Sequence, residues 1–159
     1  MAEEPTATIE ELPSAVNKLG LDKQNRAALG RLLPLGGLAH AEEGPDGRLH
    51  VQVRIPPEEA VYDPSIIVMP HGGELDIEFT NEDANDHSAI LPNNGDKILQ
   101  WLPVYSRGTV TINLDAPGCY WFGSGALGND EGRGLMGVIA VMGDVPEEAK
   151  LDRPDQPRP

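Results

Sequence analysis

The side chains that could do chemistry in this chain are four histidines and a single cysteine, set among many carboxylates. His87 lies between Asp86 and Ser88, just before a short predicted strand, and its imidazole is a possible metal ligand. Cys119 is the only thiol, so the chain cannot form an internal disulfide or a site with several cysteine ligands. His40 and His50 flank a polar loop, where we expect both to be solvated.

No complete catalytic set is visible in the sequence. An acid–base pair of His87 with Asp86 or Asp130 is one alternative. No nucleophile with its own base and orienting group accompanies that pair. The pattern therefore favours a protein that is not an enzyme.

A glycine-rich stretch covers residues 123–134 and is the second candidate site. Glycine lets a backbone approach a ligand closely, so we interpret Gly123, Ser124 and Gly125, together with Cys119, as candidates for contact with a cofactor. A phosphate-binding loop is excluded, because such a loop needs a lysine and a strand-to-helix context that this stretch lacks. A surface loop without a ligand is the alternative.

The charge balance excludes whole classes of function. The chain of 159 residues has 26 acidic and 12 basic side chains, which gives a net charge of −14. Nucleic-acid binding is excluded because such proteins present the opposite charge, and no apolar run is long enough for a membrane-spanning helix. Acidity on this scale favours solubility, and it can also steer a cationic partner. We expect an acidic ring at the His87 end, made of Glu82, Asp83, Asp86, Asp130 and Glu131.

Hydrophobic spacing divides the chain into three parts. Apolar residues recur at intervals of three and four only within residues 9–36, which predicts a helical arm packed outside the main domain. From Leu49 onward the period changes to two, and about seven short alternating segments are separated by turn residues. This pattern predicts an all-β fold, a Greek-key β-sandwich over residues 49–143. Residues 1–48 form the helical arm and a loop, and residues 144–159 form an acidic, proline-rich tail.

Three stretches of the predicted sandwich resemble the cupredoxins, and especially the plastocyanin-like domains of multicopper oxidases. They are GELDIEFTN at residues 73–81, GCYWFGSG at residues 118–125 and GLMGVIAV at residues 134–141. The resemblance implies a sandwich of cupredoxin type, with His87 at the position of the first copper ligand. It also implies that the thiolate position falls on Ser124 and the axial methionine position on Leu135.

The resemblance implies copper chemistry, but most of the family's ligands are missing. A blue-copper site needs two imidazoles and a thiolate, usually with a weak methionine. Along an extended strand Cys119 points to the opposite face from Ser124, so it does not replace the missing thiolate. Copper is possible, but not as a standard type 1 site. Any ion is expected to be held weakly, by His87 with partners from Asp86, Asp130 and Met136.

The resemblance favours an exported redox accessory that holds an atypical metal or cofactor near His87. Its expected partner is a basic redox protein such as a cytochrome, a dehydrogenase or an oxidase. The alternative is a metal-free docking module on a cupredoxin scaffold. No signal-peptide pattern is present in the sequence. Because the resemblance implies export, we expect a periplasmic or extracellular protein whose leader has been removed. A cytoplasmic location is the alternative.

Overall fold

A computed structural model describes residues 36–59, 61–124 and 135–143 of the chain. The predicted helical arm, apart from its last residue, and the predicted tail lie outside these ranges. Gly125, Asp130 and Glu131 lie outside them as well. Within the described ranges the chain is organised as ten β-strands.

The ten strands follow one another with short connections and are numbered in chain order. Their bounds are β1 Leu38–His40, β2 Glu42–Glu43, β3 Leu49–Ile55, β4 Ile66–Met69, β5 Gly73–Asn81, β6 His87–Asn93, β7 Asp96–Leu102, β8 Arg107–Leu114, β9 Gly118–Gly123 and β10 Met136–Val141.

The strands form two sheets, which confirms the predicted all-β sandwich. The larger sheet has six strands in the order β1-β4-β10-β9-β6-β7, and the smaller has four in the order β2-β3-β5-β8. β4 runs parallel to both β1 and β10, and β3 runs parallel to β5. Neighbours in space are therefore often distant in sequence, which requires crossovers from one sheet to the other.

The core lies between the two sheets and follows from the alternation of the strands. In β3 the residues Leu49, Val51, Val53 and Ile55 are buried, while the residues between them are more exposed. Burying one such side chain stabilises the fold by roughly 1.5–3 kcal/mol. The alternation also predicts seven core residues in other strands. All seven belong to the core, with Tyr120 partly buried at its margin: Leu75, Ile77, Phe79, Tyr120, Phe122, Ile139 and Val141.

Three strands were not expected from the sequence pattern. β7 is an edge strand whose residues Leu99 and Trp101 are exposed, so it lacks the simple apolar–polar alternation that identifies a half-buried strand. β1 and β2 are only three and two residues long and precede Leu49, where alternation begins. β1 pairs with β4 and β2 with β3, so both sheets extend into the segment that the sequence pattern assigns to the arm and loop.

The face of the six-stranded sheet that points away from the smaller sheet is also apolar; we call it the outer face. Trp121 pairs with Val138, which in turn pairs with Ile66, while their neighbours along the strands belong to the core. Five outer-face residues are buried although they lie outside the core cluster: Ile66, Val68, Trp121, Val138 and Ala140. The same face continues across β6 to the exposed residues Leu99 and Trp101.

Candidate functional site

The candidate site lies at the end of the sandwich where β5 stops and β6 begins. Asn81 ends β5, and its side-chain amide donates to the backbone carbonyls of Asn85, Leu102 and Pro103 at 2.9, 3.0 and 3.0 Å. Its amide oxygen accepts a hydrogen bond of 2.9 Å from the backbone N–H of Asp83. One buried side chain therefore holds together the loop before His87 and the loop after β7.

His87 lies in a hydrogen bond with a carboxylate that is itself buried. Its Nε2 is 2.8 Å from Oδ2 of Asp83, and both side chains are largely shielded from solvent. Asp83 also accepts hydrogen bonds from the backbone N–H of Glu58 at 3.0 Å and from the side chain of Asn85 at 3.2 Å. The bond from His87, followed by these smaller contributions, holds the pKa of Asp83 well below its ordinary value, against the opposing effect of burial.

The prediction that Asp83 belongs to an acidic ring at the surface is therefore wrong. Its carboxylate is buried and forms a hydrogen bond with His87 inside the protein. Glu82 is also engaged: its carboxylate pairs with Arg54, with the closest contact at 2.7 Å, and this bond lowers the pKa of Glu82. Asp86 is exposed, and its Oδ1 accepts a hydrogen bond of 3.0 Å from the backbone N–H of Val104. The sequence predicts that Asp86 and His87 hold a metal ion together. In the structure the Asp86 carboxylate bonds to Val104, and His87 bonds to Asp83.

Exposed apolar side chains lie next to this loop. Trp101 is 55% exposed and Tyr105 is 69% exposed, with the exposed Val104 between them in the chain. We call these three residues the aromatic patch. Trp101 pairs with Ser88, the residue after His87, and the backbone N–H of Tyr105 points to the carbonyl of Asp83 at 3.4 Å. The patch therefore belongs to the same end of the sandwich as His87.

Gly123 and Met136 also belong to this end. They are paired between β9 and β10, and Gly123 is paired on its other side with Ile90 of β6. Ser124 continues β9 by donating its backbone N–H to the carbonyl of Leu135 at 3.0 Å. The glycine-rich stretch thus leaves the sandwich near His87, and its remaining residues, including Gly125 and Asp130, lie outside the described ranges.

Cys119 lies elsewhere. Gly123 of β9 pairs with Ile90 of β6. Cys119 is four residues before Gly123, and His87 is three residues before Ile90. Because the two strands are antiparallel, these two offsets point in opposite directions. Seven residues of strand separate the thiol from His87, which is about 23 Å at 3.3 Å per residue. Cys119 pairs with Ala140 of the outer face and is half-buried. Burial raises the pKa of its thiol to about 12.

This donor set does not fit a type 1 copper site. The site requires a thiolate and two imidazoles around one ion. Among the described residues His87 is the one imidazole at this end, because His71 adjoins the opposite end of β5, and the thiol is distant. The resemblance to the cupredoxins implies that the thiolate position falls on Ser124, whose side chain offers a hydroxyl instead. The described donors therefore do not support electron transfer through a blue-copper centre.

Sequence reasoning missed two groupings that the fold brings together. The first is Asp83 with His87, and the second is Asp46 with His50, which are joined by a bond of 2.9 Å. The second shows that the view of His50 as a merely solvated residue was incomplete. In both pairs the aspartate comes four residues before the histidine, a spacing that could have indicated them.

The fold and the site define a cupredoxin-like domain, and its described residues do not bring the usual copper ligands together. Residues 7–159 match a protein family described as PQQ-associated, and the chain belongs to that family. No curated protein matches the chain. Within the part of the chain that the structure describes, no helix is long and apolar enough to span a membrane.

Similar solved structures support the fold. The reduced auracyanin of Roseiflexus castenholzii is 19% identical, with 59% of this chain and 97% of that chain covered and a TM-score of 0.51. Auracyanin A of Chloroflexus aurantiacus, a blue copper protein, is 18% identical, with 60% and 99% covered and a TM-score of 0.51. The metal-binding domain of a Cu(I)-exporting P-type ATPase from Streptococcus pneumoniae is 17% identical, with 67% and 96% covered and a TM-score of 0.53.

Proposed function

We propose that this chain is an accessory protein that docks, through the His87 end of its cupredoxin-like domain, onto a basic partner protein that uses PQQ. The observation that carries the proposal is the aromatic patch, whose exposed tryptophan and tyrosine lie beside the exposed carboxylate of Asp86. Contiguous exposed apolar side chains rimmed by polar residues are typical of protein interaction sites. Tryptophan and tyrosine are also the residues that most often dominate the binding energy of an interface.

The backbone of Tyr105 supports this proposal. Its φ angle is +53°, in the left-handed region that bulky residues rarely adopt. The conformation is supported by the turn bond from Ser106 N–H to the Pro103 carbonyl at 3.1 Å and by the bond from Val104 to Asp86. Backbone strain of this kind is concentrated at functional sites, where the surrounding structure maintains it. A large apolar ring is thus held in solvent at the cost of local strain.

The charge of the chain explains why PQQ itself is assigned to the partner. PQQ is a quinone tricarboxylate, and an anion of this kind needs free cationic groups. The described residues include three arginines and one lysine. Each of the arginines forms an ion pair with a carboxylate: Arg48, Arg54 and Arg107. The exposed Lys97 on β7 is a single positive charge set against the three carboxylates of PQQ. The net charge of −14 further repels an anionic cofactor, but it attracts a protein with a basic surface.

The experiment is a binding titration of the full chain against a purified PQQ-dependent dehydrogenase from the same host. Trp101→Ala and Tyr105→Ala should each weaken binding by about thirtyfold, the effect of a central aromatic contact of about 2 kcal/mol. The matched control is His71→Ala, which changes an exposed ring at the opposite end of the sandwich and should leave affinity unchanged. Equal affinities for the wild type and both patch variants would overturn the proposal.

The salt dependence of the association gives an independent readout. Exposed charges are screened beyond about 8 Å at physiological ionic strength, so the on-rate should fall steeply as salt is added. Asp86→Lys, at an exposed carboxylate beside the patch, should slow association further. An on-rate that does not respond to salt would contradict electrostatic docking at this end.

A second candidate function is a redox accessory that holds an atypical metal at His87. The observation that favours it is the Asp83–His87 bond, because histidines that bind metals commonly use their other ring nitrogen to contact a carboxylate. Met136 begins β10 at the same end and offers a soft sulfur ligand. We also propose Asp86 and Asp130 as oxygen ligands of this ion. Asp86 would have to give up its bond to Val104, and Asp130 lies outside the described residues.

The test of this second candidate is copper binding followed by absorption and EPR spectroscopy. His87→Ala should abolish binding, whereas Cys119→Ser should leave both the affinity and the spectrum unchanged. An intensely blue protein whose colour disappears in Cys119→Ser would show that the thiol is a ligand after all and would reinstate an ordinary cupredoxin electron carrier.

A further inference from the structure

A second cluster of potential metal ligands lies on the solvent side of the four-stranded sheet. Asp46 comes from the turn before β3, His50 from β3 and Asp76 from β5, where it is the direct neighbour of His50. Nε2 of His50 is 2.9 Å from Oδ1 of Asp46, and Nδ1 is 3.6 Å from Oδ2 of Asp76. One donor atom from each residue lies within 4.8 Å of the others.

The chemistry of these donors selects a class of ion. One imidazole nitrogen with two carboxylate oxygens is a ligand set typical of Zn²⁺, for which histidine and aspartate bonds are about 2.0–2.2 Å. Ca²⁺ and Mg²⁺ prefer sites made of oxygen alone. The two ring nitrogens of His50 face different carboxylates, so a zinc ion bound to one of them requires the ring or one carboxylate to rotate. Three protein ligands would leave a coordination position open to water.

Two of the three ligands are oriented by further contacts. The hydroxyl of Thr111 donates to Oδ1 of Asp76 at 2.6 Å, which leaves Oδ2 directed towards His50. The backbone N–H of Arg48 donates to Oδ1 of Asp46 at 3.1 Å and fixes that carboxylate at the turn. Supporting hydrogen bonds of this kind are a regular feature of metal sites.

The side chain of Arg48 shows that this cluster attracts positive charge, and a metal ion bound here must displace it. Its Nε is 3.4 Å from Oδ2 of Asp46 and 3.4 Å from Oδ2 of Asp76, yet this buried N–H has no hydrogen-bond partner among the described residues. The two carboxylates thus attract the positive guanidinium, but its Nε–H forms a hydrogen bond with neither of them. A compact dication that displaced Arg48 towards solvent would satisfy both oxygens and free the Nε for water.

We propose that Asp46, His50 and Asp76 bind a divalent ion of the zinc class. An open groove leads to the cluster and is lined by further carboxylates, which attract cations from solution: Glu42, Glu43 and Glu78. Asp76 is five residues before Asn81, the end of β5, so this site lies about 17 Å along the strand from the His87 end. It is independent of the docking proposal and of any ion at His87.

The experiment is isothermal titration of the full metal-free chain with ZnCl₂. The wild type should bind zinc at this site, His50→Ala and Asp76→Asn should abolish that binding, and His71→Ala, a matched histidine outside the cluster, should leave it unchanged. His87→Ala should also leave it unchanged, which separates this site from any ion at His87. No zinc binding by the wild type, or binding that survives His50→Ala, would overturn the proposal.

Two further variants keep the result clear if Asp76→Asn fails to fold. Thr111→Val removes only the orienting hydroxyl and should weaken zinc binding by about tenfold. Arg48→Gln removes the competing guanidinium and should tighten it. Titration with Co²⁺ adds a spectroscopic readout, because a tetrahedral site gives strong visible bands that an aqueous ion lacks. Unchanged affinity in Thr111→Val together with an aqueous Co²⁺ spectrum would contradict the site.

Discussion

The phenol of Tyr62 donates a hydrogen bond of 2.8 Å to the backbone carbonyl of Ser88, the residue that follows His87. Its ring is fully buried and contacts Phe79 and Phe122, with centroid separations of 6.2 and 4.9 Å. Burial raises the pKa of the phenol because its charged form would lack water. The contact ties the start of β6 to the core and so fixes the backbone that carries His87.

Removal of this hydroxyl should be measurable as lost stability. Tyr62→Phe keeps the ring but leaves a buried carbonyl short of a donor, which should cost about 1–2 kcal/mol. In thermal denaturation this corresponds to a decrease in Tm of roughly 3–6 °C for a chain of this size. The matched control is Tyr105→Phe, whose hydroxyl belongs to an exposed side chain and should matter little. Equal Tm values for the two variants would contradict a structural role for the Tyr62 bond.

The Asp83–His87 pair should make stability depend on acid. The pKa of Asp83 is lower in the folded protein than its ordinary value of 3.8, so the unfolded chain binds its proton first as the pH falls. Its stabilising effect is therefore complete above about pH 5 and is lost progressively below about pH 4. Asp83→Asn should lower the free energy of unfolding at pH 7 by about 2 kcal/mol and should flatten the acid limb of the stability curve.

Asp86→Asn is the control for this acid effect, because Asp86 is exposed and makes no contact with His87. It should retain the acid limb of the wild type in urea unfolding measured from pH 7 to pH 3. An acid limb that is unchanged in Asp83→Asn would show that other carboxylates govern the acid sensitivity.

The burial of residues within one strand could be predicted from the sequence. Contacts between segments that are distant in the sequence could not. Alternation in β5 identified Leu75, Ile77 and Phe79 as core, because one face of that strand is buried along its whole length. Asp83 was expected in solvent, as aspartates usually are. Its burial depends on Glu58, which lies 25 residues earlier and reaches it only after β3 and β5 have paired.

Cys119 should react slowly in the folded protein. Its pKa rises from 9.0 to about 12, so the thiolate fraction at neutral pH is roughly a thousandfold smaller than for an exposed cysteine. Alkylation by iodoacetamide, followed by mass spectrometry, should be slow in buffer and fast in urea. Rapid labelling under native conditions would show an accessible thiol and would support its interpretation as a contact for a cofactor.

The outer face leads to a prediction about the residues before Gly36. Trp121 is 8% exposed while Trp101 is 55% exposed, so the two tryptophans report on different parts of one sheet face. The sequence pattern predicts a helical arm over residues 9–36 that packs outside the main domain, and the outer face is the surface that we test for this contact. In a Trp101→Phe background, deletion of residues 1–35 should therefore shift the fluorescence of Trp121 to the red and increase the binding of an apolar dye.

The matched control for this deletion uses Trp121→Phe, so that Trp101 is the only reporter. Its emission already comes from a solvated ring and should not change when the segment is removed. Constant emission of Trp121 after the deletion would contradict packing of the predicted arm on the outer face.

The short strand β1 has a practical consequence for where the domain can be cut. It pairs along Ile66, Ile67 and Val68 and thereby closes one side of β4, all of whose residues are buried. A recombinant fragment that started at Leu49 would lose β1 and leave β4 as an apolar border with unused backbone donors and acceptors. Such borders recruit strands from other molecules. We therefore expect that fragment to precipitate by intermolecular pairing, whereas a fragment that begins before Leu38 should stay in solution.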